Sequence, residues 1–443
     1  MDKLSNTYVR STAHSMKFAN NGKRNVISDF LTEYRKAVVV YVDVLWGSPR
    51  EWVKGKILDV EHDYLDVPSM ISTTDIPIET RLSGRALKCA ATQACGMVKA
   101  TLRRRKLDLE IRQRCIRDTK QIPKRVLNRL EHKPSKPSAD HINAEINSIC
   151  CSIQGNEHTS YSIWAEFKSL FKSEVYGRGY TVQIPLRETK MDAKWSTGEH
   201  EVLPSILLSD DTIHIRYRRP IPKCTGSKTI GLDQGVRRML STSDGIEIPD
   251  KNHGYKKILN KIARKKRGSN AYRRALKERE SYVYKAIKAV DWSAYKQINL
   301  ERHFDIKRGK RMSKLLTAFS NPQIRNVLFM RASEEMGVPI LEVDNVCNSL
   351  RCPMDGWVHV KNRPNKGVVF RCCKCGYTDD ADEVGAFNAN LHADGLPNCN
   401  HVLVFSLKLH RSSGFFWTKD GFFDEKGNLI PVVGSSRSPI DQN

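Results

Sequence analysis

One acidic residue interrupts an otherwise apolar, strand-like segment at 229–236, which reads Thr-Ile-Gly-Leu-Asp-Gln-Gly-Val. Burial of that carboxylate, Asp233, is costly unless a cation or hydrogen bonds compensate its charge. The pattern is therefore typical of an acidic metal ligand at the end of a strand. A β-hairpin that carries Asp233 on its surface is equally compatible with it.

A second carboxylate, Glu301, ends a short alternating pattern that begins at Gln297. Apolar residues at every second position predict a strand with one buried face. Considered alone, a glutamate at a strand end is most often solvated surface. Glu301 becomes a candidate metal ligand only in combination with other acids.

Two cysteine motifs follow, Cys352-x-x-Asp355 and Cys372-x-x-Cys375, and a glycine comes directly after each. This arrangement is typical of zinc ribbons, in which the metal replaces part of a hydrophobic core. Three thiolates are present, and Asp355 stands where a fourth is expected. Since a carboxylate also binds zinc, we expect one Zn²⁺ at these four residues. A ribbon that folds without zinc stays open, as do three substitute ligands nearby: Cys347, His359 and Cys373.

An acidic stretch with Asp379, Asp380 and Asp382 comes directly after the cysteine motifs. The small residues Ala381 and Gly385 that follow predict the start of a closely packed helix. Acids in a first helical turn are stabilised by the helix dipole, which suffices to explain any one of them. One of these acids could also project towards a metal.

These patterns, in this order, closely resemble the split RuvC nuclease of TnpB proteins, which are transposon-associated RNA-guided nucleases. The compact type V (Cas12-type) CRISPR nucleases share the same arrangement. The resemblance is specific over residues 229–392, where residues 349–352 look like the family's Thr-Ser-x-x-Cys approach to the ribbon. It is looser over the N-terminal half, where the aromatic positions within 34–46 resemble the family's first recognition-lobe helix.

The resemblance implies that Asp233, Glu301 and Asp382 form a catalytic triad of carboxylates that binds two Mg²⁺ ions. Asp382 is preferred to the two acids before it because it lies seven residues after Cys375, as in the family. Three converging carboxylates repel one another unless cations neutralise them, and Mg²⁺ prefers oxygen ligands.

Two residues shortly after Asp382 depart from the family pattern. Val384 stands where family members usually have asparagine, and Phe387 stands where arginine is common. Together with Asp355, they bear on the stability of the ribbon and the rate of catalysis.

RNA-guided DNA endonuclease is the function that the resemblance implies. A guide RNA would pair with double-stranded target DNA beside a short flanking motif, and the RuvC site would cleave phosphodiester bonds by two-metal catalysis. Two other classes stay open. One is an RNA-guided DNA-binding regulator with impaired cleavage, and the other is a transposase or structure-specific nuclease that works without RNA. Assembly as a monomer or a homodimer is also open.

The expected fold class is an α+β multidomain, bilobed protein. Its segments, in chain order, are the first part of a wedge domain (1–25), a helical recognition lobe (26–138), the wedge β-barrel (139–228), a ribonuclease-H-like α/β RuvC nuclease with motifs I and II (229–345), an inserted zinc ribbon (346–378), and RuvC motif III with a C-terminal tail (379–443). In the tail, Trp417, Phe422 and Phe423 indicate that part of it packs.

Positive charge dominates the composition. Lys and Arg total 74 against 49 Asp and Glu, which leaves a net charge of +25. A polyanion, nucleic acid above all, is the expected partner, and an anionic membrane surface is the competing one. The charge is concentrated in residues 99–136 and in residues 256–280. We expect the second of these segments, 256–280, to form one basic helix. The candidate nucleic-acid-binding residues are Arg103, Arg104, Arg105, Lys256, Lys257, Arg264, Lys265, Lys266, Arg267, Arg273 and Arg274.

The remaining composition bears on the compartment. No run of 18 apolar residues exists, and the first five residues lack the charged-then-apolar layout of a signal peptide. Twelve cysteines without an export signal favour a reducing compartment. We therefore expect a cytoplasmic protein without a membrane partner, associated with a prokaryotic nucleoid or encoded by a phage.

Overall fold

The computed structural model describes residues 6–47, 67–68, 71–117, 121–132, 134–155, 159–246, 248, 254–302, 314–344, 346–364, 368–397 and 413–430. The chain divides into two compact units, Met1–Pro220 and Ile221–Asn443. The first five residues, on which the signal-peptide argument depends, lie outside the described residues.

Long helices form the first part of the N-terminal unit. The described helices of this unit are α1 (Asn21–Gly47), α2 (Gly84–Arg117), α3 (Lys124–Glu131), α4 (Ser173–Tyr176) and α5 (Lys190–Trp195). Along α1, the residues Phe30, Tyr34, Ala37 and Tyr41 are buried at a spacing of three to four residues. That spacing places them on one helix face, which packs on α2.

Antiparallel strands form the rest of the N-terminal unit. They are β1 (Thr7–Ser15), β2 (Ala144–Ile146), β3 (Cys151–Gly155), β4 (Ile163–Lys168), β5 (Thr181–Leu186), β6 (Glu201–Val202), β7 (Ile206–Leu208) and β8 (Thr212–Pro220). One sheet has the order β1-β8-β7-β2, with β6 also paired to β8, and a second has the order β3-β4-β5.

The expectation of a closed β-barrel is wrong for the described residues. Their strands form two separate sheets, because β1 pairs along its whole length with β8 whereas β4 pairs with β3 and β5. The alternating patterns near residues 181 and 212 do form strands, as the sequence predicts.

The C-terminal unit contains a mixed sheet. Its described elements are β9 (Lys228–Asp233), β10 (Ser241–Thr242), α6 (Gly254–Ala263), α7 (Asn270–Lys288), β11 (Tyr295–Arg302), α8 (Lys314–Ala318), α9 (Asn321–Leu328), β12 (Ile340–Asp344), β13 (Trp357–Val358), β14 (Val369–Arg371), β15 (Thr378–Asp380), α10 (Ala381–Leu391), β16 (Phe415–Thr418) and β17 (Gly421–Phe423). The sheet order is β10-β9-β11-β12. β9 is antiparallel to β10 and parallel to β11, and β11 is parallel to β12.

The basic segment at 256–280 is not one helix. It forms parts of α6 and α7, and residues 264–269 separate them. Gly268 has a positive φ of 83°, and the side chain of Ser269 caps the N-terminus of α7. The glycine lets the chain turn after α6 has ended, and the capping serine begins the next helix. The apolar stripe of Ile258, Leu259 and Ile262 is buried in the core, as the sequence predicts.

The cysteine motifs form a small module with two short sheets. β14 pairs with β15, and β13 pairs with β16, which continues into β17. Trp417 and Phe422 are buried in its core, which confirms that part of the tail packs. None of the helices in the described ranges combines the length and apolarity that crossing a membrane requires.

Candidate functional site

Strand alternation places Asp233 and Glu301 on one face of the mixed sheet. β9 and β11 run parallel, with Leu232 opposite Leu300. These two leucines belong to the core on the α6–α9 side of the sheet. Successive side chains point to opposite faces, so Asp233 and Glu301 project from the other face, at the carboxyl ends of their strands.

Helix α10 covers that face and packs directly on β9. A Cβ atom at Gly231 would lie 2.0 Å from the carbonyl oxygen of Ala386, so only glycine permits this approach. A Cβ atom at Gly385 would lie 3.0 Å from Asp233 Oδ2. Helix α10 carries Asp382 in its first turn, and the side chain of Asp380 caps its N-terminus. The predicted helix with acids in its first turn is therefore confirmed.

The electrostatics show that the three carboxylates influence one another. Glu301 is only 5% exposed, and its side chain shares a hydrogen bond with Asp233. Burial, followed by the charge of Asp233, raises the pKa of Glu301 well above its ordinary value. Burial also raises the pKa of Asp382, with Asp233 adding to the effect. Protons or cations must balance this site, because uncompensated carboxylates this close together are unfavourable.

Two arginines that sequence reasoning missed lie against the acids. Arg237 donates from Nη2 to Asp382 Oδ2 at 2.9 Å and to both carboxylate oxygens of Asp380 at 2.6 Å. Arg363 Nη2 lies 3.7 Å from Asp382 Oδ1. Neither stands out in the sequence, since Arg237 is 145 positions away from its partner Asp382.

The donor set fits a magnesium site. The side chains of Asp233, Glu301 and Asp382 offer only oxygen atoms, which Mg²⁺ prefers. Burial raises the pKa of Glu301 and of Asp382, and a bound cation would compensate their charges in addition to the arginines.

The cysteine motifs bring four ligand atoms together. One ligand atom from each of Cys352, Asp355, Cys372 and Cys375 lies within 4.8 Å of the others. The Cys352 and Cys375 sulfurs are 3.5 Å apart, and Cys372 Sγ lies 3.6 Å from Asp355 Oδ2. Zn–S bonds of about 2.3 Å in a tetrahedron separate ligands by about 3.8 Å, so these four residues fit a zinc ion.

The substitute ligands are placed differently. The cluster of four within the described residues includes neither Cys347, His359 nor Cys373. Cys347 packs in the core with Trp417, and the ring of His359 stacks on Trp357 at 6.3 Å. Asp355 is therefore the best fourth ligand that the described chain offers.

Ten of the eleven candidate nucleic-acid-binding residues are exposed, and Arg105 is not. Its guanidinium donates to the backbone carbonyls of Leu130 and His132, each at 3.1 Å. Arg105 therefore satisfies carbonyls at the C-terminus of α3, and its assignment to a nucleic-acid surface is wrong. Period and composition could not reveal this, because arginine on a basic helix is usually exposed.

The N-terminal unit contains a cationic cleft that the sequence did not predict. It has a volume of about 840 Å³ and lies beside the N-terminus of α2. Arg85, Lys88 and Lys172 line it, together with Tyr176 and Tyr180, whose rings stack at 4.8 Å. Aromatic side chains among cations are typical of surfaces on which nucleic-acid bases stack.

Comparisons with known proteins agree with this architecture. Residues 323–389, which include the cysteine cluster and Asp382, match the Cas12f1-like TNB domain family. A solved structure described as a Cas12f1-sgRNA-target DNA complex has a TM-score of 0.50 and 10% sequence identity, over 87% of this chain and 99% of that one. The chain has a Cas12f1-like fold. The resemblance to compact type V nucleases that the sequence predicts is thus confirmed.

A second solved structure, described as CasPhi-2 (Cas12j) bound to crRNA, matches the present chain with a TM-score of 0.45 and 9% identity. That match covers 87% of this chain and 98% of the other. No curated protein sequence matches the chain.

Proposed function

We propose that this protein is an RNA-guided DNA endonuclease whose RuvC-type site consists of Asp233, Glu301 and Asp382. The observation that carries the proposal is the convergence of three carboxylates from separate elements: the ends of β9 and β11 and the first turn of α10. If each acid had only a structural role, there would be no reason to bury Glu301 beside a second carboxylate, Asp233.

The topology of the sheet supports the RuvC assignment. In the ribonuclease-H-like arrangement, a hairpin precedes parallel strands in one mixed sheet, and the first strand carries an acidic ligand. Here β9 and β10 form the hairpin, β11 and β12 are the parallel strands, and Asp233 ends β9. This order places the first two acids on neighbouring strands.

The chain's own residues prepare the site for two Mg²⁺ ions. When bound, such ions activate the attacking water and stabilise the leaving oxygen during displacement at phosphorus. Asp233, Glu301 and Asp382 would hold them, and burial of Glu301 keeps bulk water away from one side of the site. Arg237 keeps Asp382 near the end of β9 through its hydrogen bonds.

A guide RNA and double-stranded target DNA are the proposed partners. The fold matches a Cas12f1 structure described with both nucleic acids. The net charge of +25 and the exposed cations of residues 256–274 supply the phosphate contacts that such partners need. We assign one Zn²⁺ to Cys352, Asp355, Cys372 and Cys375, as the four-atom cluster supports.

Cleavage by the purified full chain, with its copurified RNA and Mg²⁺, tests the proposal. Asp233→Ala, Glu301→Ala and Asp382→Ala should each abolish cleavage and leave RNA-dependent DNA binding intact. Asp379→Asn is the matched control, since this acid pairs with the hydroxyl of Tyr377. It should cut at the wild-type rate. A triad variant that cuts normally would remove that residue from the site.

The two alternative functions give different results in the same assay. A regulator with impaired cleavage would bind guided DNA but would not cut it with Mg²⁺ or Mn²⁺. An RNA-independent nuclease would still cut after RNase treatment before assembly. Sequencing of the copurified RNA identifies the guide if one defined species is present.

A further inference from the structure

A buried amide holds Glu301, the most buried carboxylate of the site. Asn348 is 0% exposed, and its Nδ2 donates a hydrogen bond of 3.1 Å to Glu301 Oε1. It lies on the single helical turn Asn348–Leu350, four residues before Cys352. The residue that orients Glu301 therefore belongs to the base of the cysteine module and not to the sheet.

A second buried amide fixes the turn that carries Asn348. Asn388 Nδ2 donates to the carbonyl oxygens of Asn348 at 2.8 Å and of Arg351 at 2.9 Å. Asn388 lies on α10, six residues after Asp382. These bonds join the turn beside Glu301 to the helix that carries the third carboxylate.

Arg351 extends the network to the cysteine module. Its Nη1 donates to Asn388 Oδ1 at 2.8 Å and to the carbonyl oxygen of Cys352 at 3.3 Å. Its Nε donates to the carbonyl oxygen of Trp417 at 2.9 Å. The backbone of the first cysteine ligand is thus held by the same side chain that holds Asn388.

A neutral donor suits the position next to Glu301. Glu301 and Asp233 repel when both are ionised, and a bound cation must compete with every other positive group for them. An amide N–H fixes one carboxylate oxygen without adding a charge that would compete with a metal. Hydrogen bonds of this kind orient metal ligands, and their loss typically weakens metal affinity or activity 10- to 100-fold.

We propose that Asn348 is a positioning residue for Glu301, and that it couples the cysteine module to the carboxylate site through Asn388 and Arg351. The inference rests on the proposed function, because it treats Glu301 as a metal ligand. Its consequence is specific. Zinc bound at the ribbon holds the turn in place, and thereby tightens binding of the divalent cation at Asp233, Glu301 and Asp382.

Binding of Mn²⁺ to the full chain, freed of RNA and loaded with one equivalent of zinc, tests the proposal without cleavage. Electron paramagnetic resonance measures the free Mn²⁺, and Asp382→Ala supplies the background. Asn348→Ala should weaken site-specific Mn²⁺ binding 10- to 100-fold. Asn348→Leu keeps a similar size but removes the donor, and should weaken binding to a similar extent. Ser349→Ala, on the same turn, is the matched control and should bind like wild type.

Cleavage kinetics and zinc removal supply the second part of the test. The guided complex of Asn348→Ala should lose kcat 10- to 100-fold with an unchanged KM for DNA, and excess Mn²⁺ should restore part of the loss. Zinc removal by a chelator should weaken Mn²⁺ binding to wild type but cause little further loss in Asn348→Ala.

Two results would overturn the inference. One is Mn²⁺ binding by folded Asn348→Ala and Asn348→Leu within twofold of Ser349→Ala. The other is an equal effect of zinc removal on wild type and on Asn348→Ala, which would refute the coupling through Asn348. If instead Asp233→Ala and Asp382→Ala bind Mn²⁺ like wild type, the proposed carboxylate site itself is wrong.

Discussion

Replacement of Gly231 by alanine should separate the carboxylates without removing any of them. An added Cβ atom would lie 2.0 Å from the carbonyl oxygen of Ala386 and 2.5 Å from the backbone nitrogen of Asn390, both on α10. Ordinary contact begins at 3.4 Å, so the helix must move by about 1.4 Å relative to β9. Both neighbours are backbone atoms within a helix, so neither can rotate away.

That displacement sets the size of the expected effect. Asp382 lies one turn before Ala386 on α10, whereas Asp233 ends the strand that contains Gly231. A misplacement of about 1 Å in a catalytic arrangement costs about 100-fold in rate. Overpacking also destabilises by about 1–3 kcal/mol. For a unit of this size, that lowers the Tm by roughly 2–12 °C.

Two further glycine variants separate these effects. In Gly385→Ala, the three atoms nearest the added Cβ all belong to the side chain of Asp233, with Oδ2 closest at 3.0 Å, so the loss of cleavage should be smaller. Gly96→Ala, in the interior of α2, meets nothing within 4 Å and should stabilise the chain slightly. The assays are Mg²⁺-dependent cleavage at a temperature well below the Tm, and thermal unfolding. If Gly231→Ala has the Tm and the cleavage rate of wild type, the close packing of α10 on β9 is refuted.

Three other predictions concern the remaining features of the chain. Replacement of the four cations at 264–267 by glutamate should weaken DNA binding and flatten its salt dependence by about one unit per lost phosphate contact; an unchanged slope would make this loop ordinary solvated surface. Asp355→Cys should retain zinc longer under chelator dialysis, whereas Cys372→Ala should lose zinc and destabilise the C-terminal unit. The metal assignment is contradicted if freshly purified wild type carries no zinc and Cys372→Ala is as stable as wild type. His14 Nε2 and Asp192 Oδ1 form a buried pair at 3.1 Å. Burial lowers the pKa of His14, but the carboxylate of Asp192 outweighs burial and raises it. The pKa of Asp192 is lowered, because its hydrogen bonds, the one with His14 first, outweigh burial. The pair should therefore stabilise the chain most between about pH 4 and pH 6.5 and lose its effect as the pH rises through the raised pKa of His14; a stability difference between His14→Gln and wild type that does not change with pH would refute this.

The sequence by itself determined the local parts of this protein. Strand alternation around Asp233 and Glu301 predicts two strands with acidic ends, and the structure contains both. The spacing of the cysteine motifs predicts the cluster that the structure forms, including Asp355. These patterns depend on residues a few positions apart, so they are visible without the fold. The metal assignments at both places stay predictions.

Tertiary structure alone decided which distant residues meet. Arg237 reaches Asp382 across 145 positions, and Asn348 reaches Glu301 across 47. The sequence predicts that Arg105 lies on a basic helix face, but its side chain is buried against the end of α3. No periodicity encodes such pairings, because each depends on how whole elements pack and where their surfaces come within hydrogen-bond distance. The sequence therefore predicts the chemical groups of the site, and packing determines how they are oriented and which charges compensate them.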